Sequence, residues 1–366
     1  MTLGWIGISD HQHGRFNHAG LAMPMNDGIG AHHPPDAIVP RGTLLVETHL
    51  SPEGRPQTLL RFDRSQPWAG GLSLQVMPSG GIVLVETMGG ETCHAALTHD
   101  LDGRSEQVRV SYSWDAPRRW GRLTLEHLAA GRIRSRNLPP PHPMPLEDLQ
   151  MITRYPARRE MDADVNFLAV SDQVEPIGPM PGLTANVPIA TPRGPIPAAR
   201  LRRGDTVLTS TGDIVPVLQT VSQTVPARGS LRPVRLRAPF FGLAHDILLA
   251  PHQRLVIGGS EVDYMFGTEA VLVPARHLVN GASAFYADGP DLVTYHHILL
   301  PEHAAVLAGG CPVESLYIGR LRRNPEALGQ SILHAAPRHR LPEHASPIWP
   351  VLRPFEAVTL AKHRAA

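Results

Sequence analysis

From residue 42 onward apolar and polar side chains alternate in short runs, at 43–50, 58–63, 71–76, 82–86, 108–114 and 122–127. A period of two predicts strands with one face turned inward. Turn signals separate the runs: Pro52-Glu53-Gly54, Pro67 to Gly71, Pro78 to Gly81, Gly89-Gly90 and Asp102-Gly103. Six strands punctuated in this way predict an antiparallel β-sandwich over 41–135. Residues 1–40 carry Gly, Asn, His and Pro without a sustained period, so they read as an N-terminal extension with one short strand at 5–8.

The texture changes twice more. The stretch 136–180 is a Pro-rich junction, because Leu-Pro-Pro-Pro-His-Pro-Met-Pro at 138–145 blocks both helix and sheet. A short helix is expected at 146–159, opening on the acidic pair Glu147-Asp148, and a strand at 167–170. A second β-rich domain spans 181–320, with strands expected at 189–191, 206–209, 214–225, 234–237, 247–250, 254–257, 270–274 and 294–300. The tail, 321–366, has two short helical patterns at 325–335 and 354–363. The expected class is all-β: a sandwich, then a second β-domain, with few short helices.

Composition narrows the function classes. Hydrophobic residues are 42% and charged residues 18% of 366, which supports a packed core and excludes global disorder. A formal charge of +1 gives no field to gather nucleic acid or an anionic membrane. The Arg runs at 118–119, 158–159, 202–203 and 320–323 are short and have acids nearby, so they read as solvated faces. No glycine-rich phosphate loop is present, and Lys362 is the only lysine, so nucleotide binding has no support. Cys93 and Cys311 are too few for a disulfide framework or a Cys-rich zinc module. No run approaches 18 apolar residues, and the first ten residues lack a basic n-region, so a cytoplasmic protein without a membrane partner is expected.

Three ordered blocks carry a family pattern. The first is Ile189-Ala190-Thr191-Pro192-Arg193-Gly194 followed by Leu201-Arg202-Arg203-Gly204-Asp205-Thr206-Val207-Leu208-Thr209. The second is Asp246-Ile247-Leu248-Leu249-Ala250-Pro251-His252-Gln253-Arg254 with Leu255 to Ile257. The third joins 269–281 to Val293-Thr294-Tyr295-His296-His297-Ile298-Leu299-Leu300 and Glu314-Ser315. In order and spacing these resemble the bacterial form of the Hint (Hedgehog/intein) domain, over about 180–320. The tail at 350–357 resembles the segment that often closes such proteins.

The resemblance implies autoprocessing: a Cys or Ser opening the domain attacks the preceding carbonyl, and a downstream Ser/Thr-x-x-His block orients the amide and protonates the leaving nitrogen. In related sequences the nucleophile stands nine residues before the Thr of Thr-Pro-x-Gly, which here is Gly182. The second block places Ala250 where the hydroxyl belongs and Gln253 where the histidine belongs. His252 is one residue off, which on a strand means the opposite face and in a loop need not. The expectation is a degenerate, non-cleaving Hint domain serving as a binding or scaffold module. The alternative is active cleavage or splicing near 182.

Fallback nucleophiles are Thr184, which otherwise caps the turn after Pro181-Gly182, and Cys311, otherwise a small buried residue. Asp205 reads as an Asx-type turn residue. Twenty histidines raise metal ligation, with His11/His13, His32/His33, His245/His252 and His296/His297 plus His303 as candidates. None has zinc-ligand spacing, so neither metal nor cofactor is expected.

In the first domain, the runs at 59–63, 71–76 and 108–115 with Trp120 resemble a laminin-G/concanavalin-like sandwich. That resemblance implies a carbohydrate or protein ligand on one sheet face, where Trp68, Trp114 or Trp120 would stack on a sugar if not packed in the core. An enzymatic sandwich would need paired carboxylates on one groove, from Glu47, Asp63, Glu86 and Asp115.

Overall fold

A computed structural model describes residues 4–23, 37–66, 68–78, 80–98 and 106–365. The His32/His33 pair, the Asp102-Gly103 turn and residues Pro67 and Ser79 of two other turns lie outside the described residues. The chain forms two compact units, Met1–Glu175 and Pro176–Ala366.

The first unit is a β-sandwich. Its larger sheet runs in the order Arg132–Leu138, Trp120–His127, Glu106–Asp115, Arg41–Leu50, Val165–Ser171, Trp5–Ser9, Gly14–Phe16, with every neighbour antiparallel. The smaller sheet is a meander of Gln57–Arg64, Gly70–Val76, Gly81–Met88 and Glu91–Thr98. Alternation decides which face turns inward: in Gly70–Val76 every second residue is buried. Leu60, Leu74, Ile82 and Leu84 meet Leu44, Val46, Val110 and Leu125 of the larger sheet in one core, and the helix Leu146–Arg154 adds Leu149 and Ile152. The helix stops before Pro156 and so falls short of the expected 146–159, because a residue preceding proline is pushed out of the helical region.

Three strands of the larger sheet, Trp5–Ser9, Gly14–Phe16 and Val165–Ser171, come from outside the 41–135 window that the alternation marked. Arg132–Leu138, an edge strand, carries almost no apolar alternation, whereas Glu91–Thr98, the edge of the smaller sheet, turns Cys93, Ala95 and Leu97 inward between exposed residues. Arg134 and Arg136 reach across to the carbonyls of Thr98 and Ala96 (3.1 and 2.8 Å), so arginines bridge the two sheets along this side.

The second unit holds two six-stranded sheets. One runs Gln219–Pro226, Leu292–Leu299, Leu183–Thr184, Ile247–Leu249, Val234–Leu236, Ala284–Tyr286. The other runs Ile196–Pro197, Pro188–Ile189, Ala305–Ala308, Cys311–Glu314, Arg254–Gly258, Ala270–Pro274. A hairpin of Thr206–Leu208 and Ile214–Pro216 stands beside them. The strand expected at 214–225 is two strands. The chain changes partner between them, Val217 donating to the Asp205 carbonyl and Leu218 to that of Leu299. The helix expected at 325–335 ends at Gly329, while the last helix runs Pro354–Ala365. The all-β class holds: strands carry both cores, and the α-helices among the described residues are four.

Candidate functional site

The strand Leu183–Thr184 is only two residues long, yet it sits inside its sheet, pairing Leu183 with both Leu249 and His296. This central position fixes the peptide just before it. The Ala250 N–H donates to the Gly182 carbonyl at 2.8 Å. The strand Ile247–Leu249 ends there, and Ala250-Pro251-His252-Gln253 is a tight turn closed by Gln253 N–H on the Ala250 carbonyl (3.0 Å). Strand alternation therefore does not govern His252. Its Nε2–H donates to the Pro181 carbonyl at 3.2 Å, the carbonyl that a nucleophile at 182 would attack. The ring meets Tyr295 edge-on, with centroids 6.5 Å apart.

Gln253 is buried, and its Nε2 donates to the Glu314 carbonyl at 3.1 Å. The rest of its side chain lies over Gly182. A Cβ built on Gly182 would stand 2.1 Å from Gln253 Oε1 and 3.0 Å from its Cβ and Cδ. Glycine at 182 and glutamine at 253 are thus one packing solution. Neither supplies autoprocessing chemistry: Gly182 has no side chain, and a neutral amide offers no acidic proton. Ala250 is wholly buried and has no hydroxyl.

Behind the turn stands a set of buried histidines. His297 lies on Leu292–Leu299, and burial, with the positive fields of His252 and His303, pushes its pKa down to about 3. Its Nδ1 has no hydrogen-bond partner among the described residues. His303 Nε2 and Arg254 Nη1 both approach Glu314 Oε2, at 3.3 and 3.1 Å. The sequence marked the 250–253 block and the His296-His297 pair. It gave no sign that Gln253 would fill the place of the 182 side chain, and the pairing of the smallest residue with a large one is the only trace of it.

The fallback residues are engaged elsewhere. Thr184 Oγ1 donates to the Leu248 carbonyl at 2.9 Å. Cys311 is buried, and burial pushes its thiol up to about 12, so at neutral pH it is not a thiolate. Asp205 accepts from the Arg202 N–H at 2.8 Å, closing its turn. Among the described residues no three His, Cys, Asp or Glu side chains gather in a way that could hold a metal ion.

In the sandwich, the four carboxylates do not share a groove. Glu86 points into the sandwich core and accepts from Tyr112 Oη at 2.7 Å. Glu47 lies on the other face of the larger sheet, since Leu44 and Val46, not it, join the core, and accepts from Gln107 Nε2 at 2.8 Å. Asp63 is exposed beside Arg61, and Asp115 caps the turn at Arg118. Trp114 is fully buried with its Nε1 on the Val39 carbonyl, whereas Trp68 is 48% exposed under the Arg64 guanidinium.

Residues 181–320 match the Hint domain family. No curated protein matches the chain. Solved structures similar to it include the bacterial intein-like domain from Clostridium thermocellum, at 16% identity over 37% of this chain and 99% of that one, with a TM-score of 0.25. Another is the MchDnaB-1 intein (N145AA), at 17% over 36% and 98%, TM-score 0.26. The LG1-3 region of the laminin α2 chain is similar at 9% over 76% and 54%, TM-score 0.26. It is the family match that identifies the Hint unit. No helix among the described residues is long and apolar enough to cross a membrane.

Proposed function

We propose that the Hint unit neither cleaves nor splices the chain, and that the protein works as a binding or scaffold module. The observation that carries this is the Gly182–Gln253 fit: the room a nucleophilic side chain needs is occupied by Gln253, which the Glu314 carbonyl holds in place. Covalent acyl transfer needs a side-chain nucleophile, and general-acid assistance needs a group with a suitable proton. The vestigial positions Gly182, Ala250 and Gln253 provide neither. His252 keeps its hold on the Pro181 carbonyl, so the cradle for the peptide persists without its chemistry.

Recognition falls to the sandwich in this reading, with a carbohydrate or protein ligand. Trp68 is its one exposed tryptophan and the side chain open to stack on a sugar face. The two buried free thiols, Cys93 and Cys311, suit a reducing compartment such as the cytoplasm.

The test is the intact mass of fresh protein, repeated after days with dithiothreitol or hydroxylamine. A single full-length species throughout is expected. Two fragments parting at residue 182 would overturn the reading.

A further inference from the structure

The sheet that holds Leu183–Thr184 has a place left open beyond it. The short strand lies between Ile247–Leu249 and Leu292–Leu299. Its pairing with Leu292–Leu299 stops at Thr184 opposite Tyr295, and Val187 N–H turns back onto the Thr184 carbonyl, so the chain leaves the sheet. Past Thr184 the strand Leu292–Leu299 runs on by three residues and the strand Ile247–Leu249 by one. Between them lies a cavity of about 430 Å³, walled by Thr184, Ile247, Leu248, Leu292, Val293 and Thr294. Its size falls within the usual range for ligand sites. Strands spaced about 4.8 Å apart leave room for one extended chain where a central strand is missing.

The charges around this slot specify its occupant. Asp246 and Asp288 stand at its rim, and each is matched by an arginine, Arg235 at 3.6 Å and Arg232 at 2.5 Å. The rim is neutral and the walls are mainly apolar, which complements an extended segment without charged side chains and rejects a strongly basic or acidic one. We propose that this slot binds an uncharged, extended peptide segment of another protein by strand addition, its main chain pairing with the edge at 292–294 and its side chains packing against Ile247. None of Gly182, Ala250, His252 or Gln253 lines the slot, so the proposal stands whether or not the chain cleaves itself.

The test uses the isotope-labelled full chain and a blocked, uncharged heptapeptide, acetyl-Ser-Thr-Val-Thr-Val-Ser-Gly-amide, followed by amide NMR. The expected result is a saturable shift confined to amides at 185–187, 246–248 and 292–294. A peptide N-methylated at its central amides loses its main-chain donors and binds at least about tenfold more weakly. Gly289→Leu adds a bulky side chain at the slot's lining, where a Cβ meets nothing within 4 Å. That variant weakens binding to a similar degree. The proposal fails if no shift saturates, if the N-methylated peptide binds equally well, or if a folded Gly289→Leu protein binds unchanged. It also fails if the shifts follow protein concentration without peptide and sedimentation shows a dimer, because a second copy then fills the slot.

Discussion

Burial shifts opposite kinds of acid-range group in the two units, and the difference predicts opposite answers to acid. In the sandwich the groups so shifted are carboxyls. Glu86 occupies an inward strand position against Tyr112, with its carboxyl raised chiefly by burial, and burial pushes Asp148 up to about 6 despite the Arg64 charge 3.0 Å away. In the Hint unit they are histidines: His297 falls to about 3 and His277 to about 4, both mainly through burial, and His296 and His344 shift the same way. Desolvation opposes the charged form in every case. A carboxyl so treated welcomes a proton, and an imidazole refuses one.

The largest expected effect follows from that sign. A histidine lowered from 6.5 to about 3 is neutral in the folded state while the unfolded chain takes a proton, so its stability contribution is full above pH 6.5 and lost as pH falls towards 3. At about 1.4 kcal/mol per pH unit, His297 alone removes roughly 3 kcal/mol between pH 6.5 and 4. Asp148 runs the other way. Its raised carboxyl adds about 1–2 kcal/mol to the sandwich as pH falls from 7 to 5, a gain lost again as pH rises through about 6. Calorimetry at pH 7, 5 and 4 should show the Hint transition dropping steeply while the sandwich transition holds. His297→Leu should flatten the acid slope of the Hint unit whatever it does to stability at pH 7. Parallel descent of both transitions, unaltered by His297→Leu, would break the comparison.

The next effect probes packing within the Hint unit. Gly182→Ala forces a methyl against Gln253, whose amide is tied to the Glu314 carbonyl and cannot simply swing away. Overpacking of this kind costs about 2–3 kcal/mol. The double variant Gly182→Ala with Gln253→Ala should recover much of that cost. Denaturant midpoints of the four proteins give the coupling, and simple additivity would show that the two side chains do not compete for one space.

A smaller effect is expected at the corresponding polar group of the sandwich. Glu86→Ala leaves the buried Tyr112 hydroxyl without its acceptor, at a cost of about 1–2 kcal/mol. Glu86→Gln keeps an acceptor and should lose less. Equal losses for the two would mean that the charge of Glu86, not its hydrogen bond, supports the core.

What the sequence disclosed follows the same physics. Strands of seven or more residues such as Gly70–Val76 and Glu106–Asp115 show three or more alternations, enough to register as a pattern. Leu183–Thr184, Ile196–Pro197 and Ala305–Ala308 are too short to complete a second period, so these strands of the Hint unit left no mark in the pattern, although runs such as 254–257, 270–274 and 294–300 did. At the centre, the departures of Gly182, Ala250 and Gln253 from the family pattern were legible because they depend on residue type alone. The reach of His252 to Pro181 and the fit of Gln253 over Gly182 were not, because both depend on a turn that no local pattern marks.

The smallest expected effect separates a structural hydroxyl from a reactive one. Thr184 stands two residues past Gly182, and its Oγ1 donates to the Leu248 carbonyl, pinning the short central strand to its neighbour. Thr184→Val keeps the shape and removes one neutral hydrogen bond, so stability should fall by about 1 kcal/mol or less. The intact mass after prolonged hydroxylamine should be full length in both proteins. Were Thr184 the nucleophile of a displaced autoprocessing centre, hydroxylamine would cut the wild-type chain before residue 184 and leave Thr184→Val whole. A hydroxyl already donating to the Leu248 carbonyl is expected to have only its structural role to lose.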